Sequence, residues 1–463
     1  MEGFQTKYEK ELPYQRGTCE GEIGMPQRIF FLFLIAAGAG LLQLALGEIF
    51  LFSFLQEAKG KLNASLALLP LLAGAGLLLG QKLGESIRVF FWILAFLLLA
   101  PSLSFASSFI AGLIALYYFE KKTRAQGFST PFLFLFSFAL MFSPWILTEN
   151  GFRGPDFWPL VILRLVLAIR VLGWVVQRRI YERPGYDNLQ AFLDFFLNPL
   201  YLMLPTALEF VTYSAHHENR REPTRGEVKD AFYLGLKGLV CMGIFCLTFR
   251  YIYASRIWSA LNEQGDRLTL LLFFSGCFYL VLFTIHHMAM ISFQVSVGRL
   301  LGYQLRYDMI HPLLSRSPVE YWQRNHNYVR EFLIEIGMKP LALFFLRAGI
   351  PAPISYLVAS VSTYSLMMYS HMGYRPFFIS RDLAATTGYV VFLTLALAIP
   401  VSIGMLKGKQ KSLQGTFGAF LGAGSLVPLR KWNFRDWLGS IFTFILLSIS
   451  KAYLNWTRLY QGH

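Results

Sequence analysis

Charged residues are scarce in this chain: 15% of its 463 positions are Asp, Glu, Lys or Arg, while 55% are hydrophobic and 16% aromatic. Soluble globular domains carry about 25% charged residues, and a mean hydropathy of +0.46 leaves too little polar surface for a chain bathed in water throughout. The composition is that of a polytopic membrane protein. Cysteine is equally sparse: Cys19, Cys241, Cys246 and Cys277 are scattered, three of them inside apolar runs and none at metal-ligand spacing. They read as small core residues, which argues against a disulfide framework and a zinc site. Also missing are a Gly-x-Ser-x-Gly elbow and any cysteine placed beside a histidine as a nucleophile would be. No internal repeat, low-complexity tract or sizeable soluble domain interrupts the chain, so it divides into a polar N-terminal segment, 1–27, and one membrane domain, 28–463. Residues 1–27 mix Lys7, Glu9, Lys10, Glu11 and Arg16 and resemble no cleavable signal peptide, and the apolar run behind them is too long for an h-region. Insertion is expected to use the first spanning helix itself.

Long apolar runs lie at 28–54, 64–80, 89–119, 131–147, 157–177, 190–213, 230–254, 268–292, 340–370, 384–406 and 437–455. A spanning helix takes about 20 apolar residues, and some of these runs split or re-enter, so an all-α fold with about 10 to 12 membrane passages is expected. The net charge of +15 comes from 42 basic and 27 acidic residues, and its excess collects in short loops: Lys121-Lys122-Thr123-Arg124, Arg178-Arg179, Arg220 to Lys229, and Lys407 to Lys411. Such loops mark the cytoplasmic side and contact with anionic headgroups, and nucleic acid is not an expected partner. Two of these basic loops flank the single run 190–213, which a straight span would place on opposite sides of the membrane. Pro199 and Pro205 remove backbone donors within that run, so a broken or re-entrant element reconciles both loops with one side.

Two histidines concentrate the chemical interest. No residue between Pro353 and His371 is charged, so His371 is expected at membrane depth, where an ionisable group is costly and is by default a functional candidate. His326 belongs to the stretch 302–331, which carries His311, Pro312, Arg316, Glu320, Arg324, Asn325, Asn327, Arg330 and Glu331 amid hydrophobic sequence. Polar groups at that density suggest an amphipathic or re-entrant element lining a wet cavity.

The residue order around that stretch carries a resemblance. Ile291-Ser292-Phe293-Gln294-Val295-Ser296-Val297-Gly298-Arg299-Leu300-Leu301-Gly302-Tyr303 is followed by Tyr307-Asp308, His311-Pro312, Ser315-Arg316-Ser317 and then Glu320-Tyr321-Trp322-Gln323-Arg324-Asn325-His326. This resembles the signature of the membrane-bound O-acyltransferase family, in which a Gly-x-x-x-Leu-Gly-Phe-like helix end leads through a Pro-Tyr-x-x-x-Ser-like turn to Phe-Trp-Arg-Arg-Trp-His. Upstream, Leu193-Asp194-Phe195-Phe196 through Phe210 resembles the family's segment ending in Pro-x-x-x-x-Gly-Pro-Ile, and Ala231-Phe232 to Gly238 resembles the helix after it. Downstream, Leu357 to Gly373 is similar to the family's buried-histidine helix, so the resemblance covers roughly 190–380, the expected catalytic core. The chain departs from the pattern at Asn325 and Ser370, where the family commonly has Trp, at His371-Met372-Gly373 in place of His-Gly, and in lacking Gly-Pro-Ile at 207–210. It is identified as a divergent member, most similar through Arg316-Ser317 to Arg324 to the bacterial proteins that acylate envelope or exported polysaccharides.

The resemblance implies transfer of an acyl group from a thioester to a hydroxyl. That reaction needs a base for the hydroxyl proton and donors for the tetrahedral oxyanion, and histidine has the side-chain pKa nearest the working pH. His371 is the candidate base and His326 its partner; His326 or Asn325 would orient the acceptor or donate to the donor's carbonyl oxygen. Trp322, Arg324 and Arg330 are the further candidate substrate contacts, the arginines through donor phosphates. No tightly bound cofactor or metal is expected. The donor would be acyl-CoA or an acyl carrier protein, the acceptor a glycan, lipid or protein hydroxyl, and the setting a bacterial cytoplasmic membrane with its lipids and envelope-modification partner proteins.

Plainer readings stand beside these. A membrane-embedded histidine can simply hydrogen-bond a neighbouring helix, and arginines near an interface often snorkel to headgroups. His216-His217 and His286-His287 tempt a metal reading, but consecutive residues diverge by about 100° on a helix, and no carboxylate or thiol has ligand spacing with them. Glu48 and Glu209 suggest an ion-coupled carrier, for which paired interrupted helices in repeated halves are lacking. The alternative function is a non-enzymatic membrane protein: a carrier, or a lapsed relative that binds lipid or scaffolds an assembly.

Overall fold

A computed structural model describes residues 25–46, 71, 74–76, 85–99, 103–123, 157–179, 188–198, 211, 216, 220–249, 251–252, 268–307, 309, 312–317, 320–321, 324, 327–373, 395 and 433–459. The structure is all-helical, with 89% helix and no strand among these residues. In chain order the helices are α1 (Met25–Leu46), α2 (Glu85–Leu99), α3 (Leu103–Thr123), α4 (Phe157–Arg179), α5 (Leu189–Leu197), α6 (Arg225–Thr248) and α7 (Leu268–Leu300). After them come α8 (Asn327–Phe332), which runs through a π-helical turn (Leu333–Met338) into α9 (Lys339–Arg347), then α10 (Ala352–Gly373) and α11 (Phe434–Leu459). Among the described residues two helices, α6 and the Leu272–Leu300 part of α7, are long and apolar enough to cross a membrane. The apolar runs 64–80, 131–147 and 384–406 fall largely outside the described residues, as do Glu48 and Glu209.

Local chemistry explains where the helices start and stop. The α6 helix opens on a capping box in which the Thr224 side chain accepts from the Glu227 amide and the Glu227 carboxylate accepts from the Thr224 amide. In α5 the Asn188 side chain accepts from the Gln190 amide, and the helix ends at Asn198, the residue before Pro199, where a proline disfavours the α conformation of its predecessor. The apolar run 340–370 is two helices: Gly349, at φ +82°, closes α9 with Ile350 N donating to Phe345 O at 3.1 Å, and α10 begins just after Pro351. The run 89–119 likewise divides into α2 and α3 on either side of Pro101.

The centre of the packing is the antiparallel pair α6 and α7, with α11 laid against α7 and α1 against α6. Gly238 makes the close approach possible, since a Cβ there would stand 2.9 Å from both Ala289 O and Phe293 N. Small residues at helix crossings are how apolar helices reach van der Waals contact where no hydrophobic gradient drives them together. A second group, α2 against α5 with α3 beside them, joins the same buried cluster through Trp92, Trp174, Phe192 and Phe196. Arg28 of α1 fastens the end of α7, its Nε donating to Leu300 O at 2.8 Å while its guanidinium pairs with Glu222.

Candidate functional site

The polar stretch 302–331 starts where α7 ends. Gly302 takes φ +94°, Tyr303 N donates to Gly298 O and Gly302 N to Arg299 O, both at 3.0 Å, which is a Schellman closure that needs glycine at its left-handed position. The chain then folds back alongside the two long helices. Arg221 N donates to Gly302 O at 3.0 Å, Arg299 Nε to Leu305 O at 2.7 Å, and the hydroxyl of Tyr307 accepts from Ser292 Oγ at 3.3 Å. Ser292 lies about two turns inside the helix that Tyr307 follows, so the strand of chain after Gly302 returns toward the level it has just left.

Beyond a short 3-10 turn, Pro312–Leu314, the Arg-Ser-x-x-Glu sequence acts as a helix start with a charge clamp. Glu320 N donates to Ser317 Oγ at 3.1 Å, the cap–backbone bond of a capping box. The Glu320 carboxylate receives Arg316 N at 2.8 Å and Arg316 Nε at 2.9 Å on Oε2, and Arg324 Nη2 at 2.8 Å and Nε at 3.1 Å on Oε1. Arg316 Nη1 reaches on to Asp436 Oδ1 of α11 at 3.0 Å. Burial alone would raise the Glu320 pKa, but the hydrogen bonds from Arg316 and Arg324 outweigh it and hold the carboxyl below the ordinary glutamate range. Arg324 is buried in this clamp, and Arg330, on α8, is buried within electrostatic reach of Tyr364 on α10. His326, Asn325 and Trp322 lie outside the described residues. For His371 the structure gives the backbone position, near the end of α10. By the helical repeat that position is in phase with Ser360 and Tyr364, both buried on the inner face of α10.

A second polar constellation, unforeseen from the sequence, sits deep in the fold around Asp194. Its Oδ1 accepts Arg88 Nε at 3.1 Å and Trp92 Nε1 at 2.8 Å, and its Oδ2 accepts Arg88 Nη2 at 3.1 Å and meets His216 Nε2 at 3.1 Å. The His216 ring stacks on Tyr303, centroids 4.8 Å apart at 24°, and Arg170 lies over the Phe195 ring at 3.7 Å. Burial pushes the His216 imidazole down; the Asp194 hydrogen bond and charge oppose this, and the Arg170 and Arg88 charges reinforce it, leaving it below the ordinary histidine range. A carboxylate only accepts, so Nε2 carries the ring proton. The result is a neutral histidine, a bidentate arginine and an indole converging on one carboxylate. It joins α2, α5 and the residue 216 segment to Tyr303, and so brings two parts of the family-like sequence, 193–196 and 302–303, to a common point.

The sequence carried a signal for this cluster: Asp194 is the one charged residue from Gln190 to Leu208, and an isolated charge in an apolar run marks a partnered site. His216 pairs with Asp194, and no group of three His, Cys, Asp or Glu side chains able to hold a metal occurs among the described residues. No protein-family model matches the chain, and no curated protein matches it.

Proposed function

We propose that the chain is a polytopic membrane O-acyltransferase, with about 10 to 12 passages by the length rule for apolar helices, in a bacterial cytoplasmic membrane. It moves an acyl group from acyl-CoA or an acyl carrier protein to a hydroxyl of an envelope or exported glycan, through a tunnel built by tilted and re-entrant helices. His371 takes the acceptor's hydroxyl proton as the oxygen attacks the thioester carbonyl. A C–O bond forms, the C–S bond breaks, and the imidazolium returns its proton to the departing thiolate. His326, with Asn325, holds the acceptor or the developing oxyanion, and Trp322, Arg324 and Arg330 shape the donor end. The observation that carries this reading is α10, an uncharged helix from Ala352 to Gly373 that bears His371 at its far end, in phase with buried Ser360 and Tyr364. The return of the chain at Gly302 to Tyr307 toward the level of Ser292 supports the re-entrant element the reading requires.

The deciding experiment is thioester consumption by the purified protein in detergent with short and long acyl-CoA donors, for wild type, His371→Ala and His326→Ala at matched folding. Turnover lost in His371→Ala is the expected result. No turnover by folded wild type with any donor, together with envelope glycan acylation in cells unchanged by both substitutions, would overturn it in favour of a non-enzymatic membrane protein. That second reading, a carrier or a lapsed relative that binds lipid or scaffolds an assembly, draws on Asn325 and Ser370 and on the capture of Arg324 by Glu320.

A further inference from the structure

One side of α6 is an exposed apolar stripe, Tyr233, Val240, Ile244 and Leu247, continued by Tyr251, and in the middle of it stands an exposed lysine, Lys237. From Ala231 to Thr248 it is the one charged residue, about 10 Å along the axis from Asp230 at 1.5 Å per residue. An ammonium on the lipid-facing side of a spanning helix costs several kcal/mol unless it has partners or a function. Among the described residues its polar contact is with Tyr307: Nζ donates to the Tyr307 hydroxyl at 3.3 Å and lies 4.8 Å from the centre of that ring. The same hydroxyl accepts from Ser292 Oγ. With Ser292 spending its proton on Tyr307 and Lys237 spending one of three, the ammonium keeps two protons and the Tyr307 hydroxyl keeps its own. All are donors, so the notch calls for an anion.

We propose that Lys237 and Tyr307 form a lateral binding site for an anionic phospholipid, whose phosphate is drawn below the plane of its neighbours to meet the two donors while an acyl chain lies along Val240, Ile244 and Leu247. The charge of the notch and the apolar character of the stripe above it are complementary to the two ends of one such molecule. The proposal rests on α6 being a membrane-spanning helix, and the transferase reading does not depend on it.

The test is photocrosslinking of the full-length protein, reconstituted in phosphatidylcholine vesicles doped with a photoactivatable phosphatidylglycerol or a photoactivatable phosphatidylcholine, and mapped by mass spectrometry to residues 231–252. Phosphatidylglycerol is expected to label this stretch about fivefold more than phosphatidylcholine, the ratio that corresponds to about 1 kcal/mol for one lysine near anionic headgroups. Lys237→Gln brings the ratio to one, Lys237→Arg keeps it, and Lys229→Gln, at the polar end of the helix, leaves it unchanged. Equal labelling by both lipids, or a preference that survives Lys237→Gln, overturns the site while leaving α6 in the bilayer. A preference abolished by competing inorganic phosphate overturns the lipid as occupant in favour of a bare anion. Labelling by neither lipid removes the spanning reading of α6 and the site with it.

Discussion

At the scale of single residues, Asp194 is where the fold is most exposed to damage. Four donors meet its two oxygens, and the surrounding side chains exclude water. An ion pair buried this way gives little net stability over an apolar pair, yet removing one partner strands the other. Asp194→Asn is therefore expected to cost about 3–5 kcal/mol, read as a lowered thermal midpoint in detergent, and the paired change Arg88→Met with Asp194→Leu to cost less than the single one. If the single and double variants unfold at the same temperature, the cluster is not carrying an uncompensated arginine. Acid should act through His216, which Asp194, Arg170, Arg88, Tyr303 and Phe195 surround. Its folded pKa lies below that of a free imidazole, about 6.5, so below that pH the unfolded chain binds more protons than the folded one. Stability contributed here is then present above about pH 6.5 and lost as pH falls below it. The thermal midpoint of His216→Gln is expected to fall less steeply than wild type between about pH 7 and pH 5, the range in which wild type has one more imidazole, at residue 216, to charge; parallel slopes would count against the assignment. Asp194 was visible in the sequence by the same rule that singled out His371, as an isolated charge in an apolar run. What the sequence did not show was its partners, because Arg88, Trp92 and His216 come from distant segments with no common spacing.

At the scale of elements, apolar length showed that helices exist and said little about where they break. The run 340–370 is one of the apolar runs of which some are expected to split, and Gly349 and Pro351, a local signal within uniform hydrophobicity, end one helix and begin another. The Pro199 signal was read correctly as a break, and α5 stops at Asn198. Helix contact was the least legible feature, since a glycine in an apolar helix does not announce which neighbour it admits. Gly238 and Gly112 illustrate the difference: a Cβ at Gly238 would meet backbone atoms of α7 at 2.9 Å, and at Gly112 it would meet nothing within 4 Å. Backbone cannot swing aside as a side-chain tip does, so Gly238→Ala is expected to destabilise by about 1–3 kcal/mol through overpacking. Gly112→Ala, in the middle of α3, should instead stabilise by about 0.5–1 kcal/mol through helix propensity and a less flexible unfolded chain. Thermal midpoints moving in the same direction would show that the α6–α7 approach is looser than 2.9 Å implies.

At the scale of the whole molecule, the candidate residues divide into those that would do chemistry and those that hold the fold, and a motif alone does not separate them. By sequence Arg324 is a candidate substrate contact, and Arg316, Ser317 and Glu320 belong to the same motif. In space they cap a helix and, through Arg316 and Asp436, fasten the signature stretch to α11, which itself lies on α7. The all-helical class was legible from composition because charge is scarce everywhere, whereas this tie joins residues 120 positions apart and leaves no local trace. The two roles predict opposite signatures. Glu320→Gln keeps the shape and removes the charge that both arginines share, so it should lower the thermal midpoint, with a cost of about 3 kcal/mol that falls mainly on buried Arg324, since Arg316 keeps Asp436. The loss should grow smaller as wild type is acidified, because protonating Glu320 removes the same charge. Its thioester turnover per folded molecule should stay within a few fold of wild type. His371→Ala should do the reverse: turnover reduced by about 10²–10⁴ as expected for a lost general base, with a midpoint close to that of wild type. Measuring both quantities on both variants places each residue on one side of that division. Turnover lost in proportion to the folded fraction in both would make His371 architectural as well, and would leave the transferase reading without its base.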